Sequence, residues 1–178
     1  MRKGDTEMFD KFGEFDSAEE INRAAAAQLA EGDEDAVRGI AKENGLDPDD
    51  AEDYIAGDIP ELCNVKLAAL GKLGVETAEL KPAEIMADWC DYIRQRAVED
   101  PAVAAAVRRK GKNLKGCIAV LLAWSFKNAK EVEKDIVKEA AKTVKEINTV
   151  GHGRAWLGIP GMGTAKKLIT DYYLGGTS

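Results

Sequence analysis

The stretch Asn113-Leu114-Lys115-Gly116-Cys117-Ile118-Ala119-Val120-Leu121-Leu122-Ala123-Trp124-Ser125-Phe126 decides the fold class. Its asparagine can accept from the free N–H groups of a first helical turn. Leu114, Cys117, Ile118, Leu121, Leu122 and Phe126 then recur at helical spacing. Apart from Lys115 and Ser125 the positions between them are also apolar, so the segment reads as the central buried helix of the core. The run Gly116 to Phe126 is the longest apolar stretch and is far too short to span a bilayer.

Downstream, the same period continues through Val132, Ile136, Ala140, Val144 and Ile147, predicting one long helix with a kink near Asn128. At about 100° per residue, Lys130, Lys134, Lys138, Lys142 and Lys145 fall within roughly a 120° sector of it. Asp135, Glu139 and Glu146 lie beside this ridge and soften the repulsion between like charges four apart. Gly151 to Gly163 is too broken for a helix, and Ala155-Trp156-Leu157 is its one strand candidate. Thr164 is expected to cap a last helix carrying Leu168, Tyr172 and Tyr173.

Upstream, capped helices follow one another. Ser17 and Glu20 make a capping box before Ile21, Ala25 and Leu29. Asp33 caps a second helix that ends at Asn44-Gly45, and Asp47-Pro48 opens a third. A fourth is expected from Asp58-Ile59-Pro60 to Gly74, followed by a junction over 75–81. Pro82 opens the helix of Ile85, Trp89, Ile93 and Ala97, and Asp100-Pro101 starts a short one ending at Lys110-Gly111. The predicted fold is all-α or nearly so: a bundle of about eight helices, a glycine-rich loop, and at most one short strand pair near the C-terminus.

Among 178 residues the net charge of −7 conceals a gradient. Residues 1–60 hold 18 acids and 6 bases, whereas residues 108–178 hold 6 acids and 14 bases. An acidic N-terminal helical subdomain (1–78) and a basic C-terminal one (79–178), packed as one unit, are expected. No basic-plus-apolar leader is visible, so a cytoplasmic protein with no membrane partner is expected. Cys63, Cys90 and Cys117 are an odd number without a CxxC pair and read as reduced, buried thiols. With a single histidine they cannot supply the usual zinc set, and neither metal nor cofactor is expected.

Four segments bear on function. Residues 40–54 have the outline of a helix-turn-helix, but its second helix opens Asp47-Pro48-Asp49-Asp50-Ala51-Glu52-Asp53. Carboxylates aimed at phosphates oppose the main electrostatic source of DNA affinity. The segment reads as a plain helical hairpin or as an acidic docking surface of Asp47, Asp49, Asp50, Glu52 and Asp53. Arg108, Arg109, Lys110, Lys112 and Lys115 form a basic cluster across a helix end and the next helix start. The first three suit a helix C-terminus, whereas Lys112 and Lys115 do not suit an N-terminus, which leaves an anion or nucleic-acid contact open. The ridge of Lys130, Lys134, Lys138 and Lys142 is a solvated face or a track for phosphates. Arg154, Lys166 and Lys167 complete the candidate cations around the glycine-rich segment, where Gly158 and Gly163 have P-loop spacing but Thr164-Ala165-Lys166 lacks its Lys-Ser/Thr pair. His152 has no nucleophile at a telling spacing, so no catalytic set emerges.

The words of the sequence carry a resemblance. Met8-Phe9-Asp10-Lys11-Phe12-Gly13-Glu14-Phe15-Asp16-Ser17-Ala18-Glu19-Glu20-Ile21-Asn22 resembles proteins from mobile elements of gut Firmicutes. So does Ala106-Val107-Arg108-Arg109-Lys110-Gly111-Lys112-Asn113-Leu114-Lys115-Gly116-Cys117-Ile118, with Leu157-Gly158-Ile159-Pro160 and Asp171-Tyr172-Tyr173-Leu174. The later words are similar to PcfK-like proteins of conjugative plasmids, a group similar to type II anti-CRISPR proteins. The PcfK-like pattern is shorter and has no acidic front half, so the likeness speaks for residues 100–178. It implies a non-enzymatic inhibitor whose partner is a Cas9-type effector nuclease, with DNA or guide–target nucleic acid as a second contact. A DNA-binding accessory of plasmid transfer or replication is the alternative. Tyr172 and Tyr173 pack internally or against a second copy, leaving monomer and homodimer both open.

Overall fold

Seven helices follow in succession, six of them opened by a side-chain cap. In the computed structural model, which describes residues 11–175, they are α1 (Ala18–Ala30), α2 (Glu34–Glu43), α3 (Pro48–Ala56), α4 (Val65–Leu80), α5 (Ile85–Glu99), α6 (Pro101–Arg108) and α7 (Leu114–Lys127). Met8, Phe9 and Asp10 of the opening resemblance, and the ends of both expected subdomains, lie outside the described residues. Ser17, Asp33, Asp47, Asp100 and Asn113 each accept from a backbone N–H at the start of their helices. These caps replace water on donors that a helix leaves unpaired. The chain then forms β1 (Lys130–Glu131), α8 (Lys134–Ala140), α9 (Glu146–Thr149), β2 (Trp156–Leu157) and α10 (Met162–Leu174). Among the described residues the fold is all-α apart from one antiparallel pair, Lys130 opposite Leu157 and Glu131 opposite Trp156.

Two apolar clusters make the core. One gathers Ile21, Ala25, Val37, Ile40, Ala41, Ala51 and Leu62 from α1 to α3 and the loop before α4. The other gathers Leu73, Trp89, Ile93, Val107, Leu114, Leu121, Ile169 and Tyr173. Helix α4 serves both, giving Ala68 to the first and Ala69 and Leu73 to the second. Residue 78, where the charge pattern divides the chain, therefore falls within a helix that joins the two clusters.

Several local expectations are corrected. The fourth helix does not begin at Asp58. It begins at Val65, where Asn64 accepts from the Leu67 N–H, because residues 58–64 form the loop that carries Leu62 and Cys63 into the core. It does not stop at Gly74 but runs on to Leu80, leaving no junction over 75–81. A glycine in a buried helix costs about 1 kcal/mol, which tertiary contacts outweigh. Pro82 does not open α5, which starts at Ile85. Thr164 is not the cap of the last helix, since α10 starts at Met162 after Gly161. Nor is α7 buried throughout: Leu114, Cys117 and Leu121 are, whereas Leu122 and Phe126 are exposed.

The long helix predicted through residue 147 is absent. Helix α7 ends at Lys127, and Asn128 donates from its side chain to the Trp124 carbonyl. Lys130 enters a strand, and only Lys134 and Lys138 share a helix; Lys142 lies beyond the end of α8. Val137 is the one fully buried side chain of α8 and α9. Too little apolar surface is covered there to hold a continuous helix together. Arg154 instead forks onto Glu131 at 2.7 and 2.8 Å, and the Val132 N–H donates to the Ala155 carbonyl, which fastens the strand pair.

Candidate binding surfaces

The acidic surface is built by α2 and α3, which pack as a hairpin over Ala41, Leu46, Ala51 and Tyr54. Asp49, Glu52 and Asp53 are exposed and Asp50 is half-buried. Asp47 is spent partly on structure, accepting from the Asp49 N–H at 3.0 Å. Glu52 takes a two-pronged hydrogen bond from Arg38, at 2.6 and 3.0 Å. Arg38 also reaches Asp35 at 3.1 Å and Glu34 at 3.2 Å, so three carboxylates surround one guanidinium. That hydrogen bond holds Glu52 below the ordinary carboxylate range. Arg38 was not among the residues singled out by sequence; its i−4 and i−3 acids were the available signal.

The basic cluster at the α6–α7 corner is divided by the fold. Arg108 is buried, 1% exposed, and donates to the Asn44 side chain. It is therefore removed from the set of candidate contacts: its guanidinium faces the α2–α3 turn rather than solvent. Lys112 is half-buried, donates to the Tyr172 carbonyl at 2.6 Å and lies over the Tyr172 ring, so it closes the C-terminal turn of α10. Arg109, Lys110 and Lys115 stay exposed. The loop's backbone is held from below by Lys72, whose ammonium donates to the Arg109 and Lys112 carbonyls at 3.1 and 2.7 Å and to Glu14 at 2.6 Å. Beside it, Glu76 accepts from the Leu114 N–H at 3.0 Å. Burial pushes the Glu76 carboxyl up to about 7.

The remaining cations sit on or beside the C-terminal arm, residues 128–161. Lys130, Lys134, Lys138 and Lys142 are exposed but do not form a single stripe. Lys138 pairs with Asp135 at 3.0 Å and Lys142 with Glu139. Arg154 is committed to Glu131 and stacks on Trp156. On α10, Lys167 pairs with Asp171 at 2.7 Å, and Lys166 lies over the Tyr92 ring. Val150, Leu157 and Ile159 add exposed apolar surface that helical periodicity did not single out, beside Phe126 at the end of α7, which that periodicity had assigned to the core.

Tyr173 is buried within the second cluster and meets Tyr172 edge-on. The three cysteines are free and buried, and desolvation pushes Cys63 and Cys117 up to about 12. Among the described residues no three His, Cys, Asp or Glu side chains are grouped so as to hold a metal ion. No helix among them is long and apolar enough to cross a membrane. The chain matches no protein-family model, no curated protein and no solved structure.

Proposed function

We propose that this chain is a non-enzymatic inhibitor that binds a type II, Cas9-type RNA-guided DNA nuclease in the cytoplasm of a bacterial host. The resemblance of residues 106–118 and 171–174 to PcfK-like and anti-CRISPR proteins names the partner. One observation of the fold supports a binder: opposite charges project from separate elements, carboxylates on α2 and α3 and the exposed Arg109, Lys110 and Lys115 at the α6–α7 corner. A nuclease of this type holds guide and target in a basic channel through backbone contacts. The acidic face meets that protein surface, and Lys130, Lys134 and Arg109 approach nucleic acid already held there. The proposal gives no residue a catalytic role and calls for no cofactor.

The test is DNA cleavage by purified guide-loaded nucleases of several orthologues with excess inhibitor. Loss of cutting by at least one supports the proposal; undiminished cutting by all overturns it. The exposed arm lysines also favour a second reading, an accessory protein that binds DNA directly in plasmid transfer. In that case the free chain binds duplex DNA with an affinity that falls steeply with salt, and Lys134→Glu/Lys138→Glu/Lys142→Glu weakens it. Salt-insensitive or absent binding removes that reading.

A further inference from the structure

Helix α7 is apolar on two opposite faces, and the fold covers one of them. Leu114, Cys117 and Leu121 are buried in the second cluster. At about 100° per residue, Ala119, Leu122, Ala123 and Phe126 fall on the other side of the helix. All four are exposed, Phe126 by 79%. The end of β2 lengthens this face. A Cβ on Gly158 would stand 2.0 Å from the Ser125 carbonyl oxygen, so the chain there lies against the last turn of α7. That contact brings the exposed Leu157 and Ile159 to the turn that carries Phe126. A cation borders the face at each end, Lys115 and Lys127, about 18 Å apart along the axis. Both are exposed, and neither takes an ion pair or a side-chain hydrogen bond among the described residues. The sequence has no Asp or Glu from Pro101 to Lys130, so α7 itself holds no carboxylate to answer them.

We propose that the outward face of α7 is a docking surface for an amphipathic helix of a protein partner, apolar on one side and acidic along its flanks. It goes beyond the proposed nuclease binding, because it is a second surface with the opposite charge preference to the α2–α3 face. A helix that is apolar on both sides asks to be covered on both, and exposed apolar side chains in one stripe mark an interaction site. Ala119 and Ala123 let a second helix come close, while Leu122 and Phe126 supply the ridge that enters its grooves. The charges choose among the occupants. A second α7 laid on the first sets lysine against lysine at both ends, whichever way it runs. Nucleic acid meets the two lysines and leaves the apolar stripe wet. A bilayer surface suits a helix with a polar back, and the back of α7 is packed into the core. An acidic helix matches both features: its apolar side covers Leu122 and Phe126, and carboxylates about three turns apart reach Lys115 and Lys127. The apolar anchors then supply most of the affinity, and the exposed lysines select the sign of the partner.

Selection from a displayed library tests this with the full chain. The library holds amphipathic helices of about 18 residues, with leucine fixed along one side and the flanking positions randomised among Glu, Gln and Lys. Glutamate is expected to be enriched at the flanks of the binders. Leu122→Gln/Phe126→Gln, two exposed positions, is expected to weaken a selected peptide at least about tenfold. Lys115→Glu/Lys127→Glu is expected to turn the enrichment from glutamate to lysine, a reversal that a misfolded variant cannot produce. Absence of enrichment, enrichment of lysine by the parent chain, or affinity unchanged by Leu122→Gln/Phe126→Gln overturns the proposal. Displacement of the selected peptide by duplex DNA or by anionic phospholipid vesicles at lower concentration than unlabelled peptide assigns the face to that ligand and overturns an acidic helix. Self-association of the free chain that Leu122→Gln/Phe126→Gln abolishes assigns it to a second copy and does the same. No arm contains the nuclease, so any of these failures leaves the proposed inhibition standing.

Discussion

Lys72 and Glu76 sit one turn apart on α4, 0% and 3% exposed. Charged groups this deep are tolerated only with partners. Lys72 has Glu14 and two carbonyls, whereas Glu76 has the Leu114 N–H on one oxygen and, among the described residues, no hydrogen-bond partner on the other. Burial therefore raises the Glu76 carboxyl from its ordinary 4.5 to about 7, against the lowering effects of the Leu114 N–H and Lys72. Between those two values the folded chain keeps a proton that the unfolded chain has released. Stability from this group is thus full below about 4.5 and is lost as pH rises to about 7. Glu76→Gln keeps an acceptor for Leu114 and carries no charge. It is expected to be more stable than the parent at pH 8, by on the order of 3 kcal/mol, with the difference vanishing near pH 4. Urea unfolding of both proteins across pH measures it; parallel curves would refute the role of burial. The acid at position 76 is plain in the sequence, but its burial is not, because Lys72 and Glu76 give α4 the look of a surface helix.

At the scale of elements, helix starts were legible where a local cap marks them, at α1, α2, α3, α6 and α7, and those of α4, α5, α8, α9 and α10 were not. A cap is a contact between neighbours in sequence, so Ser17, Asp33, Asp47, Asp100 and Asn113 are recognisable without any fold. The stretch from Asn128 to Val150 shows the opposite case. Its helical period is real, but α7 runs beyond the core after Leu121, and little is there to bury the apolar stripe. Pairing of β1 with β2 and the Arg154–Glu131 fork are contacts across more than twenty residues, which a local period cannot register. Glycines divide in the same manner. A Cβ on Gly71 would stand 2.2 Å from the Asn44 carbonyl oxygen, whereas one on Gly74 meets nothing within 4 Å. Gly71→Ala is expected to cost at least about 1–3 kcal/mol through overpacking of α4 against the α2–α3 turn. Gly74→Ala, within the same helix, is expected to stabilise by about 0.5–1 kcal/mol. Denaturant midpoints of the two variants check this; equal shifts would contradict the close approach.

For the whole molecule, one helix holds two cores. Ala68 packs with the α1–α3 cluster, and Ala69 and Leu73 with the α5–α7 and α10 cluster. Lys72 binds Glu14 on one side and the α6–α7 loop on the other, and the Lys110 N–H donates to Asp16 at 2.8 Å. Opening either cluster exposes the face of α4 that serves the other, so both are expected to open together. The cysteines report it: Cys63 belongs to the first cluster, Cys90 and Cys117 to the second. Alkylation in low denaturant, followed by mass, is expected to give chains with no label or three labels. A population labelled at Cys63 alone would show that the α1–α3 cluster opens independently.

The sequence by itself determined the helical class, the five capped helix starts at Ser17, Asp33, Asp47, Asp100 and Asn113, the single strand candidate at 155–157 and the opposition of acidic and basic halves. Each of these is written in contacts between near neighbours or in composition. Only the tertiary structure decided which helix is central: α4, with its lysine, glutamate and glycines, rather than the far more apolar α7. It also withdrew Arg108 and Lys112 from the exposed cations, broke the lysine ridge, and placed Arg38 among three carboxylates. Burial depends on which surfaces remain to cover a side chain once distant segments have met. Hydrophobicity along the chain measures how much a residue gains from being covered, and not whether anything is there to cover it.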